Sequence, residues 1–161
     1  MIICGIDPGL DGALAFILNE QMGLDVGDMP TFSLVRNKKN KREVDAALLA
    51  DLLDDVRPNH AFVEQVGAMP GQGVSSVFAF GRGYGIVIGV LAALKIPHTF
   101  VPSPRWKRTL RVPSSKDGAR SRASELMPHA AYNWKLVKHD GRAEAALIAL
   151  YGYREMGNFN V

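Results

Sequence analysis

The stretch MIICGIDPGLDGALAF, residues 1–16, sets how the rest of the chain is read. Met1 to Ile6 is an apolar, β-branched run broken only by Gly5, which predicts a buried strand. Pro8-Gly9 demands a turn, and the apolar run resumes from Gly12 to Leu18, so the segment is a hairpin. Its first strand ends on Asp7. A carboxylate there is costly unless it is paired, bound to a cation, or folded back to cap its own Pro-Gly turn.

With 161 residues and nearly half of them hydrophobic, the chain reads as one globular domain, 1–161, with a sizeable core. The longest apolar run, Ile86 to Leu94, is too short for a bilayer, and no basic segment leads an apolar one at the start. Neither a membrane partner nor a secretory signal is expected. The single cysteine, Cys4, lies inside the first strand and reads as a core residue in a reducing compartment. A cytoplasmic setting, in a bacterial cell or a phage-infected host, is the expectation. No Cys/His cluster has zinc spacing.

The net charge of +3 is modest, but its distribution is not. Arg36, Lys38, Lys39, Lys41 and Arg42 crowd one short segment, which reads as a solvated basic loop. Arg105, Lys107, Arg108, Arg111, Lys116, Arg120 and Arg122 crowd another, around Trp106 and Pro-Ser punctuation. That second segment suits a polyanion.

Periodicity organises the rest. A third strand is predicted over 22–29, a helix over 43–56, and a buried strand through HAFVEQV ending near Glu64. A long helix with a glycine stripe (Gly81, Gly85, Gly89) covers 74–94, and a last strand covers 96–101. Helices follow over 115–127 and 140–156. A meander of three strands followed by strands joined through helical crossovers predicts an α/β fold, a five-stranded mixed sheet with helices on both faces. Asp7 and Glu64 then fall at the carboxyl ends of neighbouring strands, where such sheets place their sites. Asp140 and Glu144, four apart, stack on one side of the last helix. The close packing or dimer contact that the glycine stripe could serve is left open by the sequence.

Four converging carboxylates repel one another unless divalent cations lie between them. Oxygen-only ligands favour Mg²⁺, with Mn²⁺ as substitute. Two such ions about 4 Å apart suit in-line phosphodiester cleavage, with the basic segment holding nucleic acid over them.

In order and spacing, GIDPG with GALA, VEQV, FGRGYG, VPSPRWK and HDGRAEAALIALYG resemble the RuvC-like Holliday junction resolvases of the RNase H-like superfamily, nearly end to end. The resemblance implies an RNase H-like fold, a homodimer, and a crossover junction endodeoxyribonuclease that nicks one strand of a four-way DNA junction per subunit. It puts Asp7, Glu64 and Asp140 at metal-ligand positions, with Glu144 as the fourth acid and two ions per site. Lys107 and Lys116 match basic positions that touch DNA, and Arg82, Trp106 and Arg120 are expected beside them. Two departures are visible. Asp140 and Glu144 are four apart, as in phage-type relatives, whereas many bacterial members have three. Gly67 stands where bacterial members carry an aromatic wedge, so Met69 or Phe78 is the candidate for opening the junction. His139 is a neighbour of the helix start, with proton transfer near the metals as its other reading. The rival functions are cleavage of other branched DNA or RNA–DNA hybrids, and a catalytically inactive junction-binding module.

Overall fold

The computed structural model describes residues 1–18, 23–36, 38–68 and 70–157. Strands β1 (Ile3–Asp7), β2 (Ala13–Ile17), β3 (Leu24–Asp28), β6 (His60–Gln65) and β7 (His98–Pro102) form one sheet in the order β3-β2-β1-β6-β7. β1 runs antiparallel to β2, and β2 to β3, while β6 lies parallel to both β1 and β7. This is the mixed five-stranded sheet that the sequence predicts. Between β3 and β6, strands β4 (Thr31–Arg36) and β5 (Lys39–Val44) make a separate two-stranded sheet.

Alternation along the strands divides the core in two. Ile3, Ala13, Ala15, Ile17, Phe62 and Val101 face helix α5 (Asp140–Glu155). Cys4, Ile6, Leu14, Phe16, Ala61 and Val63 face α1 (Ala46–Val56) and α2 (Val74–Ala93). α5 is itself covered by α3 (Ser103–Thr109), α4 (Gly118–Leu126) and a 3-10 segment (Pro128–Trp134), which bury Trp106, Leu110, Ala123 and Trp134. A helix covered on both sides must be apolar nearly all round, and every residue from Ala145 to Tyr153 is buried. The fit leaves no room for a side chain at Gly5, where a Cβ would overlap the Ala145 carbonyl and the Ala149 amide.

Three expectations change. The basic segment 36–42 is not a loop: Arg36 closes β4 and Lys39 to Arg42 begin β5, with Asn37 outside the described residues. Cross-strand pairing of six residues on each side outcompetes the solvated conformation that its charge implied. In consequence the helix predicted from residue 43 starts at Ala46, because Glu43 and Val44 belong to β5 and Asp45 caps the helix by accepting from the Leu48 amide at 3.0 Å. The third strand begins at Leu24; Met22 lies outside the described residues. The glycine stripe is not sheet packing: Gly81, Gly85 and Gly89 are exposed, and a Cβ on any of them would touch nothing. Gly83 is the glycine that α2 buries, against Val44.

By length and composition α2 could cross a membrane. As the crossover between adjacent parallel strands β6 and β7, however, it is held along the sheet through Gly83, Val87 and Leu91.

Candidate active site

Strand parity brings the acids together. Asp7 follows Ile3 and Gly5 in alternation, and Glu64 follows Phe62, so both carboxylates lie on the α5 side of the sheet. Ile6 pairs with Val63, which puts the next residues, Asp7 and Glu64, at adjoining strand ends. Asp140 and Glu144 come from the first two turns of α5. That turn can approach because residue 141 is glycine: a Cβ would overlap the Asp11 carbonyl and Gly12, and would stand 3.1 Å from Asp7 Oδ2.

Asp7, Asp140 and Glu144 line a cleft of about 610 Å³. Glu64 lines an adjoining one of about 330 Å³ with Ser103 and Lys107. Gln72 and Phe80 border both, so the two are halves of one depression over the strand ends.

Asp7 caps its own turn and is buried among the acids as well. Its Oδ1 accepts from the Gly9 amide at 3.3 Å, which caps the Pro-Gly turn. It is also buried in the acid group. Burial first, and then the charges of Glu144 and Glu64, push its carboxyl up to about 7. Glu64 is raised as well, by burial and then by Glu144, against the hydrogen bonds it accepts from Ser103 and Trp106. A single turn cap would not be raised in this way.

Each acid of α5 is turned to a cation. Lys107 Nζ lies 2.8 Å from Glu144 Oε1, and Arg120 Nε donates to Asp140 Oδ1 at 2.6 Å. Arg120 also bonds Asp117. Among the described residues no three ligating side chains converge on a common point. The donor set nevertheless fits a hard divalent cation: four carboxylates, no thiol and no imidazole, with Asp7 and Glu64 left in mutual repulsion.

The remaining expected residues fall in different places. Trp106 is fully buried, and its Nε1 donates to Glu64 Oε1 at 3.2 Å. The DNA contact expected of it is therefore replaced by a role in holding Glu64, since a buried indole presents no face to a ligand. Arg82 is paired with Glu43 of the hairpin. Lys116 is exposed ahead of α4. His139 takes the N-cap position of α5 without a side-chain capping bond, and lines a pocket with Asp28, Arg42 and Arg142 that does not include the four acids. Phe78 is 72% exposed on α2, and Met69 lies outside the described residues. Sequence reasoning passed over Gln72, Phe80 and Ser103. The last two sit inside the FGRGYG and VPSPRWK motifs, which was the available signal.

No protein-family profile matches the chain, and neither does any curated protein sequence. Solved structures do. The Thermus thermophilus RuvC structure aligns at TM-score 0.60 and 16% identity, covering 98% of both chains. T. thermophilus RuvC in complex with Holliday junction substrate aligns at 0.62 and 14%, again over 98% of both. The yeast mitochondrial Holliday junction resolvase Ydc2 aligns at 0.51 and 16%, over 97% of this chain and 79% of that one. Sheet order, the helices on both faces and these alignments together give this chain the fold of the RuvC-type resolvases.

Proposed function

We propose that this protein is a divalent-metal-dependent endonuclease that resolves four-way DNA junctions, working as a homodimer. One observation carries the reading: four carboxylates from β1, β6 and α5 border one depression, with Lys107 and Arg120 held against two of them. A fold shared end to end with structures of junction resolvases supports it.

Asp7, Glu64, Asp140 and Glu144 would hold Mg²⁺, two ions per site in the fullest form of the reading, with Mn²⁺ as substitute. Bound there, the metal supplies Lewis-acid stabilisation of a phosphodiester oxygen and an activated water. The chain's own residues do the rest. The Trp106 and Ser103 hydrogen bonds fix the Glu64 carboxylate. Lys107 and Arg120, held against Glu144 and Asp140, would be positioned to meet phosphate oxygens beside the acids once those carboxylates were neutralised. Lys116, exposed ahead of α4, extends that contact. A junction has two-fold character, so paired nicks need two sites related by a two-fold axis. The exposed small-residue face of α2 at Gly81, Gly85 and Gly89 supplies a surface on which two copies can approach closely. Phe78, exposed on the same helix, is the residue for wedging the junction open.

Labelled four-way junction, plain duplex, flap and RNA–DNA hybrid, each incubated with Mg²⁺ or EDTA, test this directly. Paired nicks on the junction, lost in EDTA and in Asp7→Asn, are expected. Preferential cutting of flap or hybrid would transfer the reading to another substrate. Junction binding without any cutting would make the protein a binding module.

A further inference from the structure

We infer that the β4–β5 hairpin is a second DNA contact, a basic arm that grips the backbone of a duplex leaving the cleft. The inference rests on the nucleic-acid reading above and extends it to a segment outside the acid site. The hairpin is fixed at the rim of the cleft. Arg42 of β5 donates to Asp11 Oδ1 and to the Leu10 carbonyl, both at 2.6 Å, and Leu10 and Asp11 line the acid cleft. Glu43, the next residue, pairs with Arg82 of α2. Two ion pairs on opposite strand faces fasten the base of the hairpin, which a merely solvated charge run does not need.

Charge is partitioned along it. Arg42 is committed to Asp11, as Arg82, Lys107 and Arg120 are committed to acids elsewhere around the cleft. Lys38 and Lys41 are exposed, and neither has an ion-pair partner among the described residues. Cations near the base thus build the scaffold, and cations toward the tip are free for phosphate. From the Ser33–Arg42 pair to the Arg36–Lys39 pair the hairpin advances three residues, or about 10 Å at ~3.4 Å each. Backbone charges on one strand recur about every 3.4 Å of duplex axis. A duplex arm lying along the hairpin would therefore pass roughly three phosphates of one strand between the rim and the tip.

The test is the salt dependence of binding to plain duplex and to four-way junction, for wild type, Lys38→Gln/Lys41→Gln and Lys95→Asn. Lys95 is exposed at the opposite end of the parallel strands and serves as the charge-loss control. The double variant is expected to lower the slope of log K against log salt by about 1.8 on both DNAs, two contacts' worth. Lys95→Asn should leave it unchanged. The nicking rate at saturating protein should be as in wild type, because neither lysine borders the acid cleft. An unchanged slope in the double variant, or an equal fall in Lys95→Asn, overturns the arm. Absence of junction cutting by wild type would overturn the nuclease reading alone, since the duplex slope still scores the hairpin.

Discussion

The ammonium of Lys107 lies 2.8 Å from the carboxylate of Glu144, over the ring of Trp106, whose indole N–H holds Glu64. One short helix, α3, thus supplies both a counter-charge to α5 and a hydrogen bond to β6. A lysine in that position competes with any cation for the same oxygens. Lys107→Met should lower the melting temperature in EDTA by about 2–4 °C, the effect of losing a partly exposed pair worth about 1 kcal/mol. It should also enlarge the stabilisation that added Mg²⁺ gives, because the competing charge is gone. Thermal melts with and without Mg²⁺ check both.

Asp7 makes the metal-free protein sensitive to pH. Its folded carboxyl titrates near 7, against about 3.9 in an unfolded chain. The folded state binds that proton more tightly, so this contribution to stability is full below about pH 4 and is lost as pH rises through about 7. Asp7→Asn removes the dependence. In EDTA the variant should melt above wild type at pH 8, by roughly 10 °C, with the difference closing toward pH 4. Parallel melts across that window give the answer, and a gap that does not change with pH would rule it out.

Asp140 should behave differently. Its charge is already met by Arg120, which also bonds Asp117, so Asp140→Asn relieves no repulsion and gives up one pair. Its melting temperature in EDTA should lie within a few degrees of wild type, on the low side. Junction cleavage should be abolished while junction binding is retained. Gel-shift and nicking assays on the same preparation separate the two.

The exposed glycines of α2 predict an interface. Gly85→Leu adds a side chain into open space in the single chain, so the fold should survive. If two copies meet there, sedimentation should show the dimer weakened while the monomer's melting curve changes little. An intact dimer would assign the stripe no part in it.

Gly5 is the opposite case. Ala at this position would drive its Cβ into the backbone of α5 at Ala145 and Ala149. The helix carries Asp140 and Glu144, so the cost falls on both stability and site. Gly5→Ala should destabilise by about 3 kcal/mol or more, read by denaturant unfolding.

What the sequence determined by itself was whatever short-range periodicity encodes. The period-two run from Ile3 to Asp7, its counterpart ending at Glu64, and the helical spacing of Asp140 and Glu144, read with the rules of strand connection, were enough to give a mixed five-stranded sheet and the adjacency of the strands that end on Asp7 and Glu64. The elements themselves follow from neighbours a few residues apart, and their adjacency from the handedness of the crossovers between parallel strands. Tertiary structure alone decided where the charges went. Lys107 and Arg120 read as free cations until packing set them against Glu144 and Asp140, and Trp106 read as a surface aromatic until burial joined it to Glu64, 42 residues away. The basic segment 36–42 read as loop because net charge outweighs a weak alternating pattern. Its pairing as a hairpin and its fastening to Asp11 and Arg82 depend on surfaces that exist only once β1, β2 and α2 are in place. Periodicity is a property of one segment. Ion pairing and burial are properties of two segments brought together, and no local pattern records them.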